Sequence, residues 1–245
     1  MKLPDPTPPD GRPYILVNMA MSADGKIATS NRRVSSFGSP ADGENLHRLR
    51  STVDAVMNGA RTADLNPIDM GPGAAKWRKV RLRRGLSEFN LRVIISGSGS
   101  VDPAAKVFRE QFSPILVITG GRVPKARQNA LKKVATSVFA AGAGSEVDFV
   151  EAVGWLMKEW NVKRLLCEGG GALNDALFRA DLVDELHLTI CPLIIGGRNA
   201  PSISDGVGFS RLDDSTQFTL QSSQAVGDER FLTYQRLSAE TRAAN

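Results

Sequence analysis

The chain has 245 residues, 42% of them hydrophobic, with a net charge of +5. That suits one α/β domain burying roughly three quarters of its unfolded surface, and no apolar run is long enough to cross a bilayer. Two cysteines, two histidines and no close Cys/His spacing exclude a structural zinc site and a disulfide framework.

Residues 1–12 are proline-rich, have no apolar h-region and read as an arm rather than a signal peptide, so a cytoplasmic address is expected. A single domain is expected over 13–238, with 239–245 frayed. Residues 14–21 form an apolar first strand interrupted by Asn18, whose buried amide needs partners and is either a structural bridge or a ligand contact. Asp24-Gly25 is a turn pair, and the loop stays polar through Ser36. Ser39-Pro40 opens a helix, serine as N-cap and proline in the first turn, with Leu46, Leu49 and Val53 at helical spacing. Arg50 lies one residue beyond Leu49, where a helix arginine is ordinarily solvated.

Residues 53–57 are a second strand, ending in Asn58-Gly59. Arg61, Thr62, Asp64 and Asn66 follow, small and polar groups at a strand end where amides and hydroxyls meet a cofactor. From Asp69 to Gly85 the chain reads as a basic loop: Lys76, Arg78, Lys79, Arg81, Arg83 and Arg84 crowd around Trp77. A solvated face is the simplest reading of that run; nucleic acid and a phosphorylated small molecule are the others.

A third strand spans 91–95, and Ser96-Gly97 opens a hydroxyl- and glycine-rich turn suited to phosphate or ribose, or to simple flexibility. A short helix fits between Asp102 and Phe112. Residues 115–119 and 134–140 are the fourth and fifth strands; Arg122, after the fourth, either meets a 2′-phosphate or is merely exposed. Residues 147–160 form an amphipathic helix whose core face is Val147, Val150, Val153, Leu156, Met157 and Trp160.

The most informative stretch begins at Leu165. A short strand ends at Glu168, Gly169-Gly170-Gly171 make a bare turn, and residues 172–180 form a helix. Unpaired amides and the positive end of a helix dipole behind glycines are a recipe for holding phosphate. Glu168 stands at the C-terminal end of a parallel strand, where open α/β sheets bind ligands. Strand 184–190 and a hairpin turning at Gly227-Asp228 complete a mostly parallel sheet with an antiparallel edge and helices on both faces. Asn174 stands where a Rossmann fingerprint needs its third glycine, so a dinucleotide would be held by a different fold.

These pieces, taken in order, resemble the pyrimidine reductase of riboflavin biosynthesis. The matching residues are Pro13-Tyr14 leading to Met21-Ser22-Ala23-Asp24-Gly25-Lys26, the run 54–59 with Thr62, then Glu168-Gly169-Gly170 with Leu173, the run 182–185, and 192–197. The resemblance implies a dihydrofolate-reductase-like three-layer α/β sandwich, NADPH as cofactor and a homodimer, with the apolar edge near residues 186–195 as its candidate interface. It implies cofactor contacts at Ala20, Ser36, Thr62, Asn66, Gly170, Gly171, Ala172 and Leu173, to which the strand-end argument adds Gly59, Ser96 and Gly97. Substrate contacts are implied at Asn18, Val34, Arg50 and Glu168, with Arg50 suited to the substrate's phosphate. Asn66 stands where members commonly carry aspartate, and the stretch after Pro67 lacks the usual arginine. The deaminase often fused to this reductase needs His-x-Glu and Pro-Cys-x-x-Cys, and neither occurs here.

The expected reaction is hydride transfer to a ring-opened ribosylamino-pyrimidine phosphate, with Glu168 supporting the cationic imine. Asp24, water or the substrate itself is the source of the proton. The alternatives are reduction of dihydrofolate or another pterin on the same fold, and a nucleotide- or RNA-binding protein without turnover that uses the basic run.

Overall fold

The computed structural model describes residues 7–32, 37–66 and 68–237. Val34 and Ser36 lie outside them. Among the described residues nine strands form one sheet: β1 (Tyr14–Ser22), β2 (Ala55–Gly59), β3 (Leu91–Ile95), β4 (Ile115–Thr119), β5 (Ser137–Ala140), β6 (Arg164–Cys167), β7 (Glu185–Cys191), β8 (Phe218–Val226) and β9 (Glu229–Arg236). Their order is β5-β4-β3-β2-β6-β1-β7-β9-β8, parallel through β7, with the β8–β9 hairpin antiparallel on the end.

The sheet is buried on two faces, and the alternation of apolar residues shows it. Ile15, Val17, Met57, Val93, Leu116, Leu165 and Cys167 point to one core, Leu16, Val56, Ile94, Val117 and Leu166 to the other. Helices α6 (Phe149–Trp160) and α7 (Gly171–Arg179) close the first face with Val153, Leu156, Leu177 and Phe178. The second is closed by α1 (Pro40–Arg50), α2 (Ala60–Leu65), α4 (Lys106–Arg109) and α5 (Lys125–Leu131), through Leu49, Ala63, Phe108 and Leu131. Among the described residues no helix is long and apolar enough to cross a membrane.

The helix α1 begins as its sequence dictates: the Ser39 hydroxyl accepts from the amides of Ala41 and Asp42, and Pro40 occupies the first turn. Both Ser39 N–H and Ser39 Oγ donate to the Glu229 carboxylate of β9, at 2.7 and 2.6 Å. The hairpin therefore anchors the helix that carries Arg50.

Three expectations change. The stretch 69–85 is not all loop: α3 (Ala75–Arg83) occupies most of it. Its apolar spacing is hidden because the residue it buries is Arg81, 1% exposed, which donates to the carbonyls of Arg50, Val53 and Ser87. Burial brings that guanidinium down to about 10, with Asp54 opposing. Second, of the stretch 186–195, residues 186–191 are not an edge, while Ile194 beyond them is 72% exposed. Strand β7 lies between β1 and β9, and Leu186 and Leu188 are core residues; β8 is the outer strand. Third, Val150 is 64% exposed, since α6 starts at Phe149 behind its Asp148 cap and turns that position outward.

Candidate active site

The register of three adjacent strands builds the site. Val17 and Met57 both pair with Cys167, so the next residue on each strand, Asn18, Asn58 and Glu168, forms a polar row at the C-terminal end of the sheet. Strand ends in a parallel sheet are where ligands are received. Asn58 Nδ2 donates to Glu168 Oε2 at 3.2 Å. Asn18 is 8% exposed, and its Oδ1 has no partner among the described residues. A buried acceptor without a partner is costly in the free protein and becomes favourable when a ligand donates to it.

Arg50 comes down from the end of α1 onto this row. Its Nε donates to Glu168 Oε1 at 2.6 Å and its Nη2 to Glu168 Oε2 at 2.8 Å, a fork on a carboxylate. Its Nη1 donates to the Gly71 carbonyl at 2.8 Å and to Asp69 Oδ1 at 3.3 Å. Burial alone pulls the guanidinium down, but Glu168 and Asp69 together outweigh it and raise it above its ordinary value. Four of the five N–H groups are thus committed within the protein. For Arg50 to take the substrate's phosphate, as the resemblance implies, a protein carboxylate has to give way, since Glu168 and Asp69 occupy the guanidinium.

His47, one turn before Arg50, packs against the same loop: a Cβ on Gly73 would sit 2.7 Å from the imidazole. Its pKa is lowered, by burial first and by Arg50 second, against Asp69, Glu168 and Glu44, so the ring is held towards neutrality. Asp69, Asn58 and His47 are site residues the sequence reading passed over. The spacing of Asn58 from Val56, alternate positions of one strand ending, was the available signal.

Across the strand ends lies a second cluster. The Gly59 amide donates to the Gly169 carbonyl at 3.1 Å, joining the ends of β2 and β6, and the Gly169-Gly170 peptide is cis. Gly169 has φ +76° and packs on Met19, whose Sδ would lie 2.7 Å from an added Cβ. Gly170 is open: a Cβ there would meet only Thr62 Oγ1, at 3.8 Å. The ladder of α7 begins with Leu173 and Asn174 donating to the Gly170 carbonyl, which leaves the amides of Gly171 and Ala172 outside it. Gly59, Thr62, Gly170, Gly171 and Ala172 therefore come together around one open turn.

Other candidates are engaged differently. Gly171 is tight for a structural reason, since a Cβ there would lie 2.4 Å from the Ser202 carbonyl and 2.6 Å from Asp205 Cβ. The Leu173 side chain is in the core. Asn66 caps α2 by donating from Nδ2 to the Thr62 carbonyl. Ser96 is buried and its hydroxyl accepts from the Val101 amide, while Gly97 accepts from Gly120 and lies under Ser145. Ala20 is half-buried on β1, paired with Thr189. Asp24 ties two loops: it accepts from Ser22 Oγ and from the Ile195 and Gly196 amides, bonds that bring its carboxyl down to about 2. It is ionised at neutral pH and has no proton to give, which removes the expected acid role.

Most of the basic run is engaged within the chain. Arg81 is buried, Lys76 pairs with Glu44, and Arg78 pairs with Glu88 at 3.6 Å and lies over the Phe89 ring. Lys76, Lys79 and Arg83 of α3 are exposed.

Residues 13–232 match the family described as the RibD C-terminal domain. A 2,5-diamino-6-ribosylamino-4(3H)-pyrimidinone 5′-phosphate reductase of Archaeoglobus fulgidus is 32% identical over 81% of this chain and 89% of its own. The protein of that name from Methanothermobacter thermautotrophicus is 28% identical over 91% of this chain and 98% of its own. In structure, a pyrimidine reductase-like protein of Corynebacterium diphtheriae superposes with a TM-score of 0.74 at 22% identity, over 92% of both chains. Acinetobacter baumannii RibD superposes with a TM-score of 0.74 at 17% identity; the chain spans 59% of that longer protein.

Proposed function

The chain belongs to the RibD C-terminal domain family, and on that footing we propose that it is an NADPH-dependent reductase of a phosphorylated ribosylamino-pyrimidine in riboflavin biosynthesis. The relatives that cover nearly all of their own length bear the name of such a reductase. The observation that carries the reading is the juxtaposition of a buried, arginine-held carboxylate with an open glycine turn across neighbouring strand ends.

The turn fits a dinucleotide. Space over Gly170 and two amides of α7 outside the helical ladder suit a diphosphate, with Thr62 and Gly59 on the facing element. When bound there, NADPH supplies the hydride. The rest is the work of this chain's residues. Glu168, held by the Arg50 fork, faces the imine formed when the ribose C1′–O4′ bond opens, and its negative charge offsets the positive charge on that nitrogen. The unpartnered Asn18 Oδ1 accepts an N–H from the substrate. The ring oxygen, released as a hydroxyl, takes its proton from water or from the substrate, since Asp24 is ionised. Arg50 and Asn58, both bonded to Glu168, keep its carboxylate in place, so that the charge needs no reorganisation as the reaction proceeds.

The resemblance also favours a homodimer. The exposed outer strand β8, with Leu220 53% exposed, replaces β7 as its candidate face. Sedimentation of the pure protein tests this. The activity is tested by following NADPH oxidation with the ribosylamino-pyrimidine phosphate and with dihydrofolate. Turnover of the first alone supports the proposal, and turnover of the second alone replaces it with the pterin reading.

A further inference from the structure

The shell around Arg50 is asymmetric. On one side the fork to Glu168 is short and buried, with side-chain exposures of 8% and 10%. On the other, Asp69 is 49% exposed and its contact to Nη1 is long, at 3.3 Å. Asp69 Oδ1 also accepts from the Gly71 amide at 2.9 Å, and Gly71 returns its carbonyl to the same Nη1. The exposed anion is thus held on a short loop.

The charges make this arrangement notable. Arg50 carries one positive charge and faces two carboxylates, so the formal charge of the cluster is negative. A phosphate dianion approaching it is repelled. One partner is dispensable, because removing Glu168 would leave a buried cation half-paired, whereas Asp69 already stands at the solvent side and returns to water cheaply.

Resting on the functional reading above, we infer that Asp69 is a stand-in anion: the substrate's phosphate displaces its carboxylate from Arg50 Nη1, and the bond to Glu168 persists. In the free protein Asp69 keeps Arg50 satisfied and the site closed to weaker anions. On binding, the loop 69–73 moves its carboxylate outwards, and Nη1 donates to a phosphate oxygen in its place. A phosphate with two negative charges competes for Nη1 where a neutral sugar cannot, and Asp69 sets the affinity that it must exceed.

The test uses ribose 5-phosphate, a sugar phosphate without base or redox chemistry, titrated calorimetrically into the full chain with no cofactor present. Asp69→Asn keeps an acceptor for the Gly71 amide and removes the charge. It is expected to bind ribose 5-phosphate at least about fivefold more tightly than the wild type. Asp69→Ser provides a second variant should the first melt early. Glu88→Gln removes one negative charge from the exposed pair with Arg78 and is expected to leave the affinity unchanged. Unchanged or weaker binding in the Asp69 variants, an equal gain in Glu88→Gln, or no measurable binding in any of these proteins overturns the inference. A gain confined to Asp69 supports it even where the pyrimidine is not turned over, in which case only the functional reading fails.

Discussion

Arg50 closes on Glu168 with two parallel bonds, at 2.6 and 2.8 Å, and both side chains are about nine-tenths buried. A buried pair of this kind adds little net stability against an apolar replacement, but breaking it from one side strands a charge. Arg50→Ala should therefore cost about 3–5 kcal/mol, seen as a melting point lower by roughly 10 °C. A variant that melts with the wild type would mean that Glu168 finds another partner.

Glu168→Gln keeps the shape and an acceptor for Arg50 and loses the charge. Turnover should fall at least about tenfold, with a smaller loss of stability than in Arg50→Ala, because Asp69 and the Gly71 carbonyl still hold the guanidinium. Steady-state kinetics beside a thermal melt separate the two effects. Undiminished kcat would take Glu168 out of the reaction.

Two neighbouring glycines should respond in opposite ways. Gly170→Val places its side chain in open space near Thr62, so the protein should fold normally and bind NADPH at least about tenfold more weakly, as read by fluorescence titration. Gly171→Ala drives a Cβ to 2.4 Å from the Ser202 carbonyl, and should lower the melting point whether or not a cofactor is present. Reversal of this pattern would move the cofactor to the other side of the turn.

Asp24 should matter to folding and not to proton transfer. Its folded carboxyl titrates at about 2, below its ordinary value. Its contribution is therefore complete above about pH 4 and lost as pH falls towards about 2. The melting point of Asp24→Ala should trail the wild type at pH 7 and converge with it across that acid window. A gap independent of pH would assign the loss to something other than the carboxylate.

Cys167 and Cys191 are fully buried, and burial raises both thiols to about 12. Neither should react with iodoacetamide at pH 8 until the chain is unfolded in guanidinium. Mass spectrometry of the native protein checks this, and rapid labelling would show that β6 or β7 opens.

The sheet was legible where local chemistry and global burial agree. Strands 91–95 and 115–119 stand at their expected bounds because runs of Val, Ile and Leu buried on two faces have no competing reading. The Ser39-Pro40 start of α1 was equally plain. Helix α3 was not, since Arg81 fills a core position by satisfying carbonyls, and a pattern based on apolar spacing cannot register a buried arginine. Helices α2 and α5, with six and seven residues, are too short to show a period. In the site, Glu168 and the glycine turn were visible as a strand end followed by a bare helix start. Asp69 was not, because its meeting with Arg50 depends on how the loop after α2 returns across the sheet.

The grip of Glu229 on Ser39 has a consequence for biosynthesis. Strand β1, the earliest of the described strands, sits mid-sheet and waits for partners at positions 164–167 and 185–191. The anchor for α1 emerges from the ribosome later still, at 229. A nascent polypeptide halted just short of that glutamate would have every ligand of Arg50 in hand, yet nothing to fasten the far end of the helix that aims it. Competence is thus acquired abruptly, once residue 229 is out, and fragments that stop before it should be inert.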